Sequence, residues 1–330
     1  MIDHHEPGDY GDSHVEFLRA LGGPTEIYIR GVDRSRCRAI VTLLHGNEPS
    51  GLKAVHKLLK ENPEPATDTC IVIASVNAAR HPPLLSHRFL PWESDLNRCF
   101  GFAANHQDDL ARDIVRSLKN KSVEAVIDAH NTSAHSEPFA VSVRNTKTIH
   151  QLTPMFTKNL IVMDQSLNTL IEHGDDETPW LTIEFGGVMD PNADELAYEA
   201  LKTFITASDL FAEPVRPLRL INHPLRLEID EDAHLHYSSS VVDEGDITMF
   251  DTIDQLNFHV IETGTALGWL GPGGLGMFRI RTGVGTQEVD KYFQNKDGFL
   301  TTKKPMTIFM ATTDPYIARK DCLLYFSDDD

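Results

Sequence analysis

Arg38-Ala39-Ile40-Val41-Thr42-Leu43-Leu44 is a short apolar run rich in β-branched residues, and it leads directly into His45-Gly46-Asn47-Glu48. A run of this kind reads as a strand buried on both faces. Gly51 to Glu61 follows, with Leu52, Val55, Leu58 and Leu59 at helical spacing. Cys70 to Val76 is a second buried strand. His106 to Lys119 reads as a helix through Leu110, Ile114, Val115 and Leu118. Val123 to Ala129 is a third strand, Phe139 to Val143 a fourth, and Trp180 to Glu184 another, ending before Gly186-Gly187. A helix is expected from about Asn192 to Leu210, with Asn192 as its cap and Glu195 in capping-box position. Strands alternating with helices imply an α/β domain: a mostly parallel or mixed sheet flanked by helices on both faces.

The pattern changes near Glu213-Pro-Val-Arg-Pro217. Beyond it come short alternating segments such as Leu225 to Ile229 and Met277 to Arg281, separated by Gly, Pro and Asp, without a long helix. The expected organisation is a catalytic domain over 1–213 and a β-rich domain over 214–330 that caps or shapes the cleft. With 330 residues, the chain has ample material for a core. Hydrophobic residues at 41% and charged residues at 24% describe a globular protein rather than a disordered one. Lys and Arg number 30 against 49 Asp and Glu, a formal charge of −19, which argues against nucleic acid or an anionic membrane surface as partner. Four scattered cysteines (Cys37, Cys70, Cys99, Cys322) form no disulfide framework and fit a reducing cytoplasm. The first residues, Met1 to Glu6, lack the basic and apolar regions of a signal peptide, and Cys70 to Ala79 is too short to cross a bilayer. Asp328-Asp329-Asp330 reads as a solvated tail. The oligomeric state stays open, a homo-oligomer included.

The chemistry gathers where strands end, as ligands do in open α/β sheets. His45 and Glu48, three apart at a strand-to-loop turn, can face one point, and an imidazole nitrogen with a carboxylate oxygen suits Zn2+. A solvated turn histidine and a helix-start carboxylate would leave the same trace. His130, in Ile127-Asp128-Ala129-His130-Asn131, also ends a buried strand. Two His and one Glu from strand ends make the three-ligand set of a catalytic zinc site with an open fourth position, and Asp128 can serve as an outer acceptor. A hydrogen-bonded structural histidine is the bland reading. Glu184 closes an apolar strand, where an unpaired carboxylate is expensive to bury. A general base that takes a proton from water and returns it to a leaving amine explains it; a Glu at a solvated sheet rim is the alternative. In Asp95-Leu-Asn97-Arg98, Asn97 and Arg98 present donors that match a substrate carboxylate, and Arg88 upstream can stabilise an oxyanion. A loop stitched by salt bridges would look the same.

His-Gly-Asn-Glu, Asp-Leu-Asn-Arg, Ile-Asp-x-His-Asn-Thr and Ile-Glu-x-Gly, in this order and spacing, resemble the succinylglutamate desuccinylase/aspartoacylase family, a branch of the zinc carboxypeptidase-like fold. The likeness covers roughly residues 38 to 190 by motif, and the added β domain fits it. The resemblance implies one zinc held by His45, Glu48 and His130, with Glu184 as general base. Asn97 and Arg98 would hold the α-carboxylate of the substrate, and Arg88 would polarise the acyl carbonyl. The implied reaction is hydrolysis of the amide bond of a small N-acyl amino acid.

Two departures bear on what carries over. The spacing from Arg88 to Asp95 is longer than the family pattern, with Pro91-Trp92-Glu93 inserted. Aspartoacylases also carry an Arg shortly before the catalytic Glu, which binds the side carboxylate of the substrate. Here the stretch reads Glu172-His173-Gly174-Asp175-Asp176-Glu177, and no Arg occurs between Asn145 and Arg216. If those carboxylates face the pocket they repel a second anion; otherwise they form a solvated acidic loop. Either way an uncharged acyl group, or an amino acid with a neutral or cationic side chain, fits better than N-acetylaspartate. Gly271-Pro-Gly273-Gly-Leu-Gly276 matches G-x-G-x-x-G, but it contains Pro and opens no helix, so it reads as a tight turn. His234 and His236 could both face one side of a strand as a metal pair, but such a pair is more often surface histidine. The rival functions are a zinc carboxypeptidase acting on short peptides and a non-catalytic zinc-fold protein that binds a ligand.

Overall fold

The computed structural model describes residues 2–5, 8, 10–101, 106–212 and 215–328. The expected domain break at Glu213-Pro214 and the end of the acidic tail at Asp329-Asp330 lie outside the described residues. The chain divides into two compact units. The first comprises Met1–Asn131, Pro138–Leu160 and Ser166–Leu220; the second comprises Thr132–Glu137, Ile161–Gln165 and Ile221–Asp330.

The strands of the large sheet are β1 (Asp3–His5), β2 (Thr25–Ile29), β3 (Asp33–Thr42), β4 (Thr67–Ile73), β5 (Val123–Thr132), β6 (Phe139–Ser142), β7 (Asn159–Val162), β8 (Trp180–Gly187) and β9 (Arg219–Asn222). They lie in the order β1-β2-β4-β3-β5-β8-β6-β7-β9. β3 pairs in parallel with β4 and β5, whereas β2 runs antiparallel to β4 and β6 antiparallel to β8. The sheet is therefore mixed around a parallel centre. That centre coincides with the strongest apolar runs: β4 is buried along its whole length, as a strand covered on both faces must be.

The helices of this unit are α1 (His14–Ala20), α2 (Ser50–Glu61), α3 (Val76–Arg80), α4 (His106–Asn120), α5 (Lys147–Leu152) and α6 (Pro191–Thr206). On one face, Ala111, Ile114 and Leu118 of α4 share an apolar cluster with Ala39, Val41, Cys70, Val72 and Val126. Each fully buried branched side chain there contributes about 2 kcal/mol. On the other face α2 comes so close that a Cβ on Gly51 would lie 2.2 Å from Thr42 Oγ1 and 2.9 Å from the Ala129 Cβ. α6 lies beside α2, with Lys57 Nζ 3.6 Å from the centre of the Tyr198 ring. The cap of α6 differs from the sequence expectation. Asp190, not Asn192, is the cap; its side chain accepts from the Asn192 N–H, and Pro191 occupies the first turn. Proline at that position needs no N–H partner and has its φ preset, so it sets the helix start ahead of Asn192.

The second unit holds β10 (Leu225–Ile229), β11 (Leu235–Tyr237), β12 (Ile247–Met249), β13 (Val260–Ile261), β14 (Ala266–Leu270), β15 (Phe278–Thr282), β16 (Gly285–Gln287), β17 (Phe293–Lys296), β18 (Phe299–Thr302), β19 (Met306–Phe309) and β20 (Leu324–Ser327). They form a six-stranded sheet, β13-β19-β20-β10-β15-β16, and a five-stranded sheet, β11-β12-β14-β18-β17. Leu227, Ile247, Leu267, Ile280, Phe293, Leu300, Ile308 and Phe326 are buried in its core. Its α-helix, α7 (Pro315–Lys320), has six residues. The glycine-rich stretch after β14 becomes a short 3-10 turn, Gly274–Met277, as its Pro and crowded glycines anticipate.

Candidate metal centre and active site

β3 ends at Thr42, and Leu43 turns the chain with φ +53°. Gly46 then passes where no side chain fits: a Cβ there would lie 2.7 Å from the Ala79 nitrogen and 2.7 Å from the His87 oxygen, both backbone. The Gly46 N–H donates to the Arg88 carbonyl at 2.9 Å. This turn places His45 and Glu48 on one side, just ahead of α2. His130 arrives from β5, next to β3 in the sheet.

His45, Glu48 and His130 are all buried, at 4%, 7% and 2% exposure, and each offers a ligand atom within 4.8 Å of the others. His45 Nδ1 lies 2.8 Å from Glu48 Oε1, and His130 Nδ1 lies 2.7 Å from Glu48 Oε2. The far sides of both rings also meet carboxylates. His45 Nε2 is 3.0 Å from Asp95 Oδ1, and His130 Nε2 is 2.9 Å from Asp128 Oδ2, although off the hydrogen-bonding direction. The Asp95 carboxylate behind His45 favours the tautomer with the proton on Nε2 and a lone pair on Nδ1. That lone pair, aimed at the Glu48 carboxylate, repels it unless a proton or a cation lies between them. The electrostatics agree. Burial opposes the charge on Glu48, but the two imidazoles outweigh it and hold the carboxyl below its usual range. Burial likewise opposes a charged His130, yet Asp128 and Glu48 raise it well above an ordinary histidine. A site that so favours positive charge between neutral-nitrogen and carboxylate donors fits a divalent cation such as Zn2+.

Glu184 lies on β8, which is otherwise buried. Its Oε2 is buried with no hydrogen-bond partner among the described residues. Burial pushes its carboxyl up to about 7, with Glu48 and Asp128 adding to the rise and His130 and His45 opposing it. Two residues on, Gly186 has φ +123°, a backbone conformation that favours glycine. Asn131 ties this turn to the metal side: its Nδ2 donates to the Gly186 carbonyl at 3.1 Å and to Ser50 Oγ at 2.9 Å, while its Oδ1 accepts from the Ser50 N–H.

The Asp-Leu-Asn-Arg motif forms a short 3-10 turn, Leu96–Arg98, capped by Asp95. Asp95, the first residue of the motif, takes a role that its sequence context does not announce. Its Oδ1 meets His45 Nε2, and its Oδ2 accepts from Arg88 Nε at 2.9 Å. Burial opposes its charge, but His45 and Arg88 keep the carboxyl well below the usual range. Arg88 also brings Nη1 to 3.6 Å from Glu48 Oε1, so the longer Arg88-to-Asp95 spacing still leaves this guanidinium at the centre. Asn97 is buried, and its Oδ1 accepts from the Leu170 N–H at 3.1 Å, which leaves the amide NH2 end to donate. Arg98 Nη1 donates to the Asn97 carbonyl at 2.9 Å.

The acidic stretch behaves as a solvated loop rather than a screen. Glu172 accepts from the Leu167 and Thr169 N–H groups and from Ser166 Oγ. Asp175 accepts from the Glu177 and Thr178 N–H groups, and Asp176 pairs with Arg144 at 3.2 Å. Asp175, Asp176 and Glu177 are exposed, so repulsion by pocket-facing carboxylates is not what this loop provides. Among the described residues, His234 and His236 join no metal-ligating group of three or more. No helix is long and apolar enough to cross a membrane among the described residues.

The model of the succinylglutamate desuccinylase/aspartoacylase catalytic domain matches residues 38–207, more than half of the chain. A search of curated proteins finds no match. Among solved structures, the fold is similar to a succinylglutamate desuccinylase from Vibrio parahaemolyticus, with TM-score 0.60, 14% identity, and 95% of this chain and 94% of that chain covered. It is also similar to a succinylglutamate desuccinylase/aspartoacylase from Shewanella frigidimarina, with TM-score 0.56, 12% identity and 88% of each chain covered. Murine aminoacylase 3 gives TM-score 0.53 and 14% identity, over 89% of this chain and 96% of that one.

Proposed function

Because the chain belongs to the succinylglutamate desuccinylase/aspartoacylase family, we propose that it is a zinc-dependent amidohydrolase that cleaves the amide bond of a small N-acyl amino acid. The observation that carries this reading is one arrangement: a buried His45-Glu48-His130 cluster beside a buried, unpartnered Glu184 carboxylate oxygen whose proton affinity is raised to about 7.

In this reading His45, Glu48 and His130 hold the ion, while Asp95 fixes the His45 ring and Asp128 places a negative charge beside His130. Bound there, Zn2+ would supply Lewis acidity and make water more acidic. Glu184 accepts the proton of the attacking water. Its buried Oε2 has no hydrogen-bond partner among the described residues, so it is open to take that proton and pass it on to the leaving amine. Arg88 stabilises the negative charge that develops on the acyl oxygen. Asn97, through its NH2 end, and Arg98 hold the α-carboxylate of the substrate. The substrate is an N-acyl amino acid with an uncharged acyl group, or with a neutral or cationic side chain. The support for this is that no Arg occurs between Asn145 and Arg216 to receive a second carboxylate.

The test is free-amine release by the zinc-loaded protein across N-acetyl and N-succinyl amino acids with acidic, neutral and basic side chains, with dipeptides included. Turnover confined to N-acyl amino acids, with N-acetylaspartate a poor substrate, is expected. Release from peptides alone would favour a carboxypeptidase, and silence with zinc bound would favour a protein that only binds.

A further inference from the structure

His81 and His87 lie on the segment that ends at Arg88, away from the cluster described above. His81 Nδ1 is 3.3 Å from His87 Nε2, and the Pro82 carbonyl oxygen is 3.1 Å from each of these nitrogens. The three atoms form a near-equilateral triangle of polar groups at the surface.

Hydrogen bonds satisfy this triangle in one way, with both nitrogens donating to the two lone pairs of the Pro82 carbonyl oxygen. If His81 Nδ1 donates to His87 Nε2, the latter presents a lone pair to the Pro82 oxygen, and that contact is repulsive. Reversing the donor gives His81 Nδ1 the same problem. Each of these two tautomers leaves one unfavourable contact. A cation can instead be held by all three atoms. Two ligands each about 2.0–2.1 Å from an ion at the tetrahedral angle sit about 3.3 Å apart. The rings agree: their centroids are 4.8 Å apart at 86°, against 4.8 Å and 72° for His45 and His130.

We propose that His81 Nδ1, His87 Nε2 and the Pro82 carbonyl oxygen form a second, surface site for a divalent transition-metal ion of the kind that prefers imidazole, with water completing its coordination. Imidazole donors select Ni2+, Cu2+ or Zn2+ over Mg2+ and Ca2+. The site is independent of the proposed catalytic function. It lies on the segment that carries Arg88, and the His87 carbonyl borders Gly46.

Trp92 reports on the site, because its ring centroid is 6.0 Å from that of His81 and its side chain is 70% exposed. The experiment is titration with Ni2+ of untagged protein loaded with one zinc per chain. Tryptophan quenching is followed while metal analysis counts nickel and zinc per chain. We expect one Ni2+ taken up with zinc retained, quenching that is largely lost in Trp92→Phe, and an affinity more than about 10-fold weaker in His81→Asn/His87→Asn, since losing a ligand is at least as severe as losing a group behind one. The double variant should keep its zinc and its Tm, because neither side chain is buried. Nickel that enters only by displacing zinc, no uptake, or uptake unchanged in the double variant would each overturn the site.

Discussion

Glu184 and Asp95 are both carboxylates at the centre, yet their surroundings push them in opposite directions. Burial raises Glu184 to about 7, whereas His45 and Arg88 hold Asp95 well below the usual range. In the metal-free protein this gives Glu184 a distinct pH signature. Its folded proton affinity exceeds its unfolded one, so its contribution is present below the unfolded value of 4.5 and fades as pH rises towards about 7. Metal-stripped Glu184→Gln should therefore show a flatter fall of Tm over that window than the metal-stripped parent; an identical slope would remove Glu184 as the source. With zinc restored, the same variant should retain its metal and fold but lose at least about 10²-fold in rate. Near-normal turnover would take Glu184 out of the mechanism. Asp95 is a residue whose importance lies in the fold. Asp95→Asn should weaken zinc binding by about 10–100-fold, measured by competition with a chelator, because it loosens the His45 ring without removing a ligand.

At the scale of elements, the apolar runs located the central strands well. Leu225–Ile229 is a strand with the bounds read from its alternation, and Val123 to Ala129 lies within β5. Direction was less legible, because a buried run records that both faces are covered but not which neighbour it bonds to. The antiparallel β2–β4 and β6–β8 pairs illustrate this. The start of α6 separates two local signals. Asp190→Ala should destabilise the protein by about 1 kcal/mol, the usual worth of a cap, while Asn192→Ala should change little. Thermal denaturation of the two variants distinguishes them, and the reverse order would restore Asn192 as the cap. Gly46 and Gly51 show why the turn into the site tolerates no side chain: backbone crowds the first, and Thr42 with Ala129 the second.

For the molecule as a whole, the charge of −19 sets a background that disfavours anions, so positive groups such as Arg88 and Arg98 matter more for an anionic substrate than their number suggests. A metal held by the cluster would tie local chemistry to global stability, since an ion that binds only the folded state stabilises it by mass action. Chelation should lower the Tm, and zinc at about 100 times its Kd should restore about 2.7 kcal/mol. A Tm indifferent to both would mean that the cluster does not hold the ion.

The sequence by itself determined the α/β character and the β-rich second part, and it offered the strand-end residues as candidates; that their strands are neighbours was decided by the tertiary structure. Burial periodicity and residue chemistry are local properties, and they survive in a one-dimensional string. Only the tertiary structure decided which carboxylate backs His45, that the Arg88 guanidinium lies beside Glu48 and Asp95, and that the acidic stretch spends its charges on its own loop and on Arg144. It also decided that 132–137 and 161–165 belong with the second unit. Each of these is a choice of partner across many residues of chain. Such choices depend on which polar groups the packed core leaves facing one another, and no spacing along the chain records that.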